Sequence, residues 1–148
     1  MNEKITIRQA TVEDIDEISS LWLEFMGEVY PAEKPSVAMF MSQLRLLMAA
    51  PSYVMFVVEA GGKIVGYEDG YLSESPFFGG LIGCGSNGFY VRPEYRGVGL
   101  KMFRELEQWG VDRGVIGGRL TCIPDMVDVF KKLGFKPIEV LMIKKYER

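Results

Sequence analysis

The sequence predicts an α/β fold in which helices cover the faces of a mixed sheet. Segments with the alternating pattern of strands are interspersed with segments of helical periodicity, in the order β-α-α-β-β-β-α-β-α-β. The chain has 148 residues, close to the commonest size of one domain. Hydrophobic residues make up 48% of it and charged residues 25%, which is typical of a globular protein. We therefore expect residues 1–148 to form a single domain.

The composition excludes several kinds of site. There is no histidine, which rules out a Ser-His-Asp triad, a Cys-His dyad and every histidine-ligated metal site. The two cysteines, Cys84 and Cys122, lack the spacing of paired metal ligands and are too few for the disulfide framework of a secreted protein. The first residues lack the apolar stretch of a signal peptide, and no apolar run approaches the roughly 20 residues of a membrane span. We expect a cytoplasmic protein with reduced thiols, without a metal and without a membrane partner.

Charge is unevenly divided along the chain. Residues 1–80 carry 12 acidic and 5 basic side chains, whereas residues 81–148 carry 8 acidic and 12 basic ones. The overall charge of −3 is too acidic for a general nucleic-acid-binding protein, and we expect no nucleic-acid partner. The division favours an anion-binding second half and a first half that attracts cations, although scattered surface charge would produce the same pattern.

The first half of the chain predicts one strand and two helices. Residues 4–9 alternate in hydrophobicity, and Thr11, with an acidic residue three positions later, is typical of a helix N-terminus. Pro31 and Pro35 separate the two helices. Apolar residues at helical spacing, which we assign to the core, are Ile15, Ile18, Trp22, Phe25, Met26 and Val29, then Val37, Phe40, Met41, Leu44, Leu47 and Met48.

The second half predicts most of the sheet. The expected strands are 53–59, 63–72, 81–91, 118–122 and 138–146. Gly61 and Gly62 are typical of a hairpin turn, and residues 73–80 are rich in Ser, Pro and Gly and predict a loop. One helix follows the glycines at 97 and 99, and a last helix begins at Pro124 and ends at Gly134.

The stretch 89–104 carries the chemical information. A strand runs into a glycine-rich turn that opens a helix, where backbone N–H groups and the helix dipole favour negative charge. Gly97 and Gly99 lack side chains that would keep a phosphate away, and Arg96 adds a cation at the same place. These features predict a cradle for a pyrophosphate.

Two families with such turns fit the spacing poorly. The P-loop pattern G-x-x-x-x-G-K-[ST] is absent. A dinucleotide-binding fold requires G-x-G-x-x-G after its first strand, but Met102 stands at the third glycine and the motif comes late in the chain. The turn therefore gives little support to nucleotide binding.

The sequence VRPEYRGVGL at residues 91–100 resembles the acetyl-CoA signature of the GNAT family of N-acetyltransferases, [RQ]-x-x-G-x-[GA]. Arg96 and Gly99 match that signature, and FKKLGF at residues 130–135 resembles the end of the family's last helix. The predicted element order also resembles that of the family over essentially the whole chain. The resemblance implies the GNAT-type acyl-CoA N-acyltransferase fold, with acetyl-CoA as cosubstrate.

The resemblance also implies where acetyl-CoA lies. The strand 81–91 would splay from the strand 118–122, with the pantetheine arm in the gap and the thioester carbonyl near the bulge at Gly88 and Phe89, where a backbone amide would stabilise the oxyanion. The pyrophosphate would lie on the amides of residues 96–101. The acceptor would approach from the side of the first two helices and the strand 63–72. Residues implied in cofactor binding are Phe89, Tyr90, Val91, Arg96, Gly97, Val98, Gly99, Leu100, Lys101 and Phe130.

The sequence departs from the family pattern in four places. Lys101 stands at the second small residue of the signature, where it either crowds the cofactor or turns outward and adds charge near the phosphates. Phe130 replaces the tyrosine that protonates the leaving thiolate in many members, and Ile123 replaces an asparagine. The residues 85–88 contain no carboxylate to serve as the general base often found on the splayed strand.

The catalytic base must therefore be sought elsewhere. The candidates are Glu28 at the end of the first helix and Glu68 and Asp69 on the strand 63–72, although a single carboxylate of this kind is more often a solvated surface charge. Glu68 and Asp69 point to opposite faces of their strand, so only one can face the cleft. Cys122 is interpreted as a core residue.

We interpret the chain as an N-acetyltransferase that transfers acetyl from acetyl-CoA to a primary amine by direct attack, because no activated nucleophile is visible. The expected partner is a small-molecule or peptide amine acceptor, and the acidic first half favours a cationic one. A homodimer is compatible with this interpretation. The alternative is a catalytically weak or inactive member of the fold that binds CoA as a sensor or partner module.

Overall fold

A mixed sheet forms the centre of the structure, a computed structural model that describes residues 3–85 and 88–147. Its described strands are β1 (Ile5–Gln9), β2 (Tyr53–Ala60), β3 (Lys63–Ser75), β4 (Gly80–Cys84), β5 (Phe89–Val91) and β6 (Gly117–Arg119). The strand order is β1-β2-β3-β4-β6, and β5 pairs with β3 beyond the end of β4. All pairs are antiparallel except β4 with β6, which run parallel. The mixed α/β fold class expected from the sequence is confirmed.

The described helices are α1 (Ile15–Val29), α2 (Val37–Met48), α3 (Gly99–Val111) and α4 (Val127–Lys132). Short 3₁₀ turns, Val12–Asp14, Pro93–Val98 and Pro124–Met126, lead into α1, α3 and α4. Within residues 3–85 and 88–147, no helix is both long enough and apolar enough to cross a bilayer.

The two faces of the sheet are covered by different helices. Because side chains alternate along a strand, Met55 and Val57 of β2 pack with α1 and α2, while Phe56 and Val58 pack with α3. On the first face the rings of Trp22 from α1 and Phe40 from α2 stack at a centroid distance of 4.3 Å. Both cores therefore rest on the same central strands, which hold the helices at fixed positions relative to the sheet.

Two local features anchor the first half as the sequence predicts. The backbone N–H of Thr11 donates to the Asp14 carboxylate at 2.8 Å, so the predicted helix start is confirmed. Arg8 of β1 pairs with Asp14 at 2.8 Å and with Glu59 of β2 at 2.7 Å, which ties the start of α1 to the sheet. Both hydrogen-bonded pairs hold the pKa of Arg8 above its usual value.

The β2–β3 hairpin has the geometry expected from its glycines. Gly61 and Gly62 have φ angles of +57° and +79°. Two consecutive positive φ angles belong to the turn type whose twist matches that of the flanking strands. The predicted hairpin is therefore confirmed, and it places β3 at the middle of the sheet.

The structure corrects three strand predictions. The strand expected over 81–91 is interrupted and forms β4 and β5. The strand β3 runs to Ser75, into the loop expected over 73–80, because its last five residues pair with β4. The strand expected over 138–146 is wrong, since within the described chain residues 135–147 form neither helix nor strand. The sheet ends at β6, whose three exposed residues offer a short edge, and the apolar side chains of residues 138–143 stay exposed.

Candidate active site

A bulge separates β4 from β5 and opens the sheet. Tyr71 of β3 lies opposite Cys84 of β4, and Glu68 of β3 lies opposite Phe89 of β5. Between these two pairs β3 advances by three residues, whereas the segment that joins β4 to β5 advances by five. Extra residues in one strand bend it away from its partner. Gly88, in this bulge, has a φ of +112°, a backbone conformation that favours glycine. Ser86 and Asn87, which belong to the stretch 85–88 without a carboxylate, lie outside the described residues.

The gap begins where β6 stops pairing. The parallel ladder runs from Ile82 opposite Gly117 to Cys84 opposite Arg119, and the Gly85 N–H donates to the Arg119 carbonyl at 3.0 Å. Beyond this point β5 continues along β3, and β6 has ended. The two strands that are expected to splay therefore stop pairing at Gly85.

The backbone of β5 presents polar groups to this gap. The Arg92 N–H donates to the Val65 carbonyl at 2.8 Å, so this pair is hydrogen-bonded. In an antiparallel ladder bonded and non-bonded pairs alternate, which makes Tyr67 opposite Tyr90 the next bonded pair. The peptide groups of Phe89 and Val91 consequently point away from β3, as an extended ligand along the free edge of β5 would require.

The turn before α3 is more tightly wound than the sequence suggested. Residues Pro93–Val98 form a 3₁₀ turn, and the Gly99 N–H donates to the Arg96 carbonyl. The expectation that this turn leaves its amides free is therefore wrong in part, because 3₁₀ bonding uses them. The start of α3 nevertheless has neither a side-chain cap nor an acidic residue in its first turn, so the positive end of the helix dipole is uncompensated there.

The two signature glycines differ in function within the fold. A Cβ atom built on Gly99 would lie 2.9 Å from Cζ of Phe89, so this glycine allows the ring of Phe89 to pack on α3. A Cβ atom built on Gly97 would meet no atom within 4 Å. The surface beside Gly97 is open, and this is the glycine that a phosphate could approach.

Arg96 is paired with an acidic residue of α1. Its guanidinium lies 2.9 Å from a Glu28 carboxylate oxygen, and its Nε donates to the Val91 carbonyl at 3.1 Å. The hydroxyl of Tyr90 donates to the same carboxylate at 3.2 Å, and burial together with this carboxylate raises the pKa of Tyr90 to about 12. A second pair, Arg92 with Glu24 at 3.0 Å, lies beside the first. These contacts link the signature turn to α1.

Around the turn, the other predicted cofactor residues lie mostly at the surface. Leu100 and Lys101 are exposed and Val98 is half-buried. The side chain of Lys101 therefore points away from the core at the first turn of α3, beside the open face of Gly97.

Phe130 lies in an aromatic cluster next to the gap. Its ring packs edge-to-face on Phe103 at 5.3 Å, on Phe135 at 5.8 Å and on Phe89 at 6.4 Å. Only 6% of Phe130 is exposed. The ring is thus a core residue that joins α4 to α3 and β5.

The candidate bases lie in three different environments. Glu68 is 3% exposed, and the nearby Glu107 of α3 adds a like charge. Burial first, then Asp69 and Glu107, raise the pKa of Glu68 well above its usual value, and its Oε2 has no hydrogen-bond partner. Asp69 is 1% exposed and accepts a 2.5 Å hydrogen bond from the hydroxyl of Tyr53, in the core beneath α1 and α2. Glu28 is near the surface, paired with Arg96.

A tyrosine that the sequence analysis did not single out lies at the bulge. Tyr67 of β3 is fully buried, and its hydroxyl has no hydrogen-bond partner among residues 3–85 and 88–147. A Cβ atom built on Gly88 would lie 3.8 Å from this hydroxyl and 3.5 Å from Cζ of Phe25. The alternation of β3 places Tyr67 on the same face as Asp69, a signal that was present in the sequence.

Cys122 follows the end of β6 and is half-buried. Burial raises the pKa of its thiol, which disfavours the reactive thiolate. Cys122 is in neither of the two core clusters, so its interpretation as a core residue is not confirmed.

Comparison with known proteins identifies the fold that carries this site. A model of the acetyltransferase (GNAT) family matches residues 15–135. The chain belongs to the GNAT family. This membership makes it an N-acetyltransferase by class and confirms the resemblance seen in the signature. Among proteins with curated descriptions, none matches the chain.

Solved structures show the same GNAT fold at low sequence identity. A predicted acetyltransferase with acetyl-CoA from Clostridium acetobutylicum has a TM-score of 0.80 and 18% identity, over 96% of both chains. Glucosamine-6-phosphate N-acetyltransferase from Arabidopsis thaliana has a TM-score of 0.76 and 18% identity, over 98% of this chain and 100% of that one. An aminoglycoside N-acetyltransferase in complex with CoA has a TM-score of 0.74 and 17% identity, over 100% and 98%.

Proposed function

We propose that the chain, acting as one domain over residues 1–148, transfers an acetyl group from acetyl-CoA to a primary amine by direct attack. The observation that carries this proposal is the edge of β5 beyond the end of β6, where the peptide groups of Phe89 and Val91 point away from β3. The Val91 carbonyl accepts from Arg96 there, so a ligand would share or displace that contact. An extended amide-containing arm can pair with such an edge as an additional strand would. Two solved structures with the same fold contain CoA and acetyl-CoA, which supports this choice.

The residues around the turn fit a pyrophosphate. The open face of Gly97 gives room for it, and the uncapped start of α3 favours its negative charge. Arg96 and Lys101 supply two exposed cations. When the phosphates bind, the Arg96 guanidinium would either leave Glu28 or contact Glu28 and a phosphate together. Glu28 therefore competes with the phosphates for the guanidinium.

Direct attack is the mechanism that the described residues support. The cosubstrate supplies an activated acyl carbon, and the chain has to orient the amine and remove its proton. Neither cysteine favours an acetyl-enzyme, because Cys84 is buried and burial raises the pKa of Cys122. The amine therefore needs a base rather than an enzyme nucleophile.

Asp69 is the best placed of the three candidate bases. It lies on the face of β3 covered by α1 and α2, from which the acceptor is expected to approach. Glu68 lies on the opposite face, and burial raises its pKa, which disfavours the carboxylate form that a base requires. Glu28 is engaged by Arg96, and its pairing fits cofactor or acceptor binding better than proton transfer.

The acceptor is proposed to be a cationic amine. Residues 1–80 carry a net charge of −7 by the counts given above, and they supply α1, α2 and β3 around the acceptor side. Polyamine-like, aminoglycoside-like and lysine-like amines share this charge. The similarity to an aminoglycoside N-acetyltransferase supports the same class.

A second candidate function is CoA binding without efficient transfer. Phe130 favours it, because this position has no hydroxyl to protonate the leaving thiolate and its ring is held in the core. In that case the protein would act as a CoA sensor or partner module.

The cofactor site is tested by calorimetric titration of acetyl-CoA into two variants. Arg96→Ala should weaken binding by about 10- to 150-fold, because charge-assisted hydrogen bonds to phosphate are worth roughly 1.5–3 kcal/mol. Glu28→Gln, the matched control, removes the competing carboxylate and should leave affinity unchanged or improve it. An unchanged affinity in Arg96→Ala would contradict this position for the pyrophosphate.

A further inference from the structure

Within the described core the hydroxyl of Tyr67 is an unsatisfied donor. The side chain is fully buried on β3, and no protein group accepts from its oxygen. An unpaired buried hydroxyl costs free energy, and replacing it by hydrogen should not destabilise a protein. A polar group of this kind that persists in a core calls for a partner that arrives only with a ligand.

The hydroxyl points to the place where the strands part. A Cβ atom on Gly88, the bulge residue with a φ of +112°, would lie 3.8 Å from the Tyr67 oxygen. Phe25 of α1 lies near the same point, with its Cζ 3.5 Å from that Cβ position. A ligand whose acyl group lies at Gly88 would therefore come close to both the Tyr67 hydroxyl and the Phe25 ring.

Tyr67 is a hydrogen-bond donor and not a base. Burial, together with the charge of Asp69 and the neighbouring Tyr90, raises its pKa far above neutrality. Its proton therefore remains in place over the whole physiological range. Asp69, two residues along the same face of β3, is also buried and accepts a hydrogen bond from the Tyr53 hydroxyl.

We propose that Tyr67 is a catalytic residue whose hydroxyl donates a hydrogen bond to the oxygen of the acyl thioester at the Gly88 bulge. The inference rests on the proposed acetyl transfer and names a group for the charge that develops in it. This hydrogen bond would stabilise the charge on oxygen and would not act on the leaving sulfur, so its role is separate from that of an acid at position 130.

Acetyl transfer would proceed by addition of the amine and then loss of CoA. The amine nitrogen forms a bond to the acyl carbon, and the electron pair of the C=O bond moves to oxygen, which accepts the Tyr67 hydrogen bond. The proton of the amine passes to a carboxylate, for which Asp69 is the candidate. The C=O bond then re-forms, the C–S bond breaks, and CoA leaves as a thiolate, which is an acceptable leaving group because thiols have a pKa of about 8.5.

The test is Tyr67→Phe, measured in three ways on the full chain. Its melting temperature should stay the same or rise, because no protein hydrogen bond is lost. Its affinity for acetyl-CoA should fall about fivefold while its affinity for CoA, which has no acyl oxygen, is unchanged. Its kcat with an amine that the wild type acetylates should fall on the order of 10²-fold.

Tyr53→Phe serves as the stability control. This change removes the hydroxyl that donates a 2.5 Å hydrogen bond to Asp69, so the melting temperature of the variant should fall. The proposal for Tyr67 is overturned if Tyr67→Phe keeps the wild-type kcat and the wild-type ratio of acetyl-CoA to CoA affinity. It is also overturned if the variant melts as early as Tyr53→Phe and loses both ligands equally, because the hydroxyl is then structural. A wild type that binds acetyl-CoA but acetylates no amine would instead contradict the proposed function.

Discussion

The guanidinium of Arg96 joins two parts of the site that are distant in sequence. It lies 2.9 Å from Glu28 on α1, and it is held against the Val91 carbonyl at the end of β5. The bond to the Val91 carbonyl would keep the guanidinium in place when a phosphate at Gly97 displaces Glu28, which lowers the entropic cost of binding. The neighbouring cation, Lys101, has no such tether and contributes through its charge alone.

Lys101→Ala should weaken acetyl-CoA binding by about two- to fivefold at low salt, because an exposed ion pair is worth at most roughly 1 kcal/mol. The loss should shrink as salt is raised, since screening acts most strongly on exposed charges. Titrations at two salt concentrations measure it, with Arg104→Ala, an exposed cation one turn later on α3, as the control. If Lys101→Gly instead binds more tightly at both salt concentrations, the side chain crowds the cofactor.

Phe130→Tyr should raise kcat/KM by less than about tenfold at neutral pH. A proton donor at this position would raise the rate by about 10²–10⁴-fold only where no other group stabilises the negative charge on the leaving thiolate. The added hydroxyl also enters a cluster of three other rings, which gives it little freedom to reach the gap. Acetyl transfer is compared with that of Phe135→Tyr, a change in the same cluster. A gain above a hundredfold would mean that Phe130 marks a disabled site.

At the scale of elements, the signature turn and the bulge define the site together. The 3₁₀ turn and α3 carry the two glycines, and Phe89 of β5 packs against the second of them. The turn therefore cannot move relative to β5 without disturbing this contact. Such packing holds the phosphate end and the acyl end of the gap at a fixed separation.

A pair of alanine variants separates the two glycines. Gly97→Ala should leave the melting temperature unchanged, because its Cβ meets no atom within 4 Å, and should weaken acetyl-CoA binding by crowding the phosphate. Gly99→Ala should lower the melting temperature, because its Cβ would lie 2.9 Å from the Phe89 ring. Thermal melts and calorimetry measure both effects. Full affinity in Gly97→Ala would place the pyrophosphate elsewhere.

Local signals in the sequence were enough for most elements. The paired glycines at 61 and 62 fix a turn by backbone conformation alone, and the apolar stripes of α1 and α2 fix which face is buried. The strand expected over 138–146 failed because a strand pattern needs a partner edge, and β6 offers only three residues. Pairing depends on distant parts of the chain, which a local pattern does not contain.

The candidate site could likewise be predicted from the sequence only where it depends on local residues. The signature located the turn, since the turn depends on residues within one short stretch. The Arg96–Glu28 pair spans 68 positions, so no local spacing indicates it. The missing partner of the Tyr67 hydroxyl is likewise a property of packing, because it depends on Phe25 and Gly88 arriving at the same point.

At the scale of the whole molecule, the sheet brings two halves of opposite charge to one opening. The acidic first half supplies α1, α2 and β3, and the basic second half supplies β5, α3 and the signature turn. An anionic cosubstrate on one side and a cationic amine on the other would meet at the Gly88 bulge. This arrangement is the physical basis for acetyl transfer to an amine.

The most direct measurement of that claim is amine-dependent release of CoA thiol from acetyl-CoA, with the products weighed by mass spectrometry. The panel contains a polyamine, an aminoglycoside and lysine, and an amine-free reaction measures hydrolysis. We predict that CoA is released only with an amine and that each CoA released corresponds to one acetylated amine. If the protein binds CoA by calorimetry but acetylates none of these amines, the account is contradicted and the binding-module function replaces it.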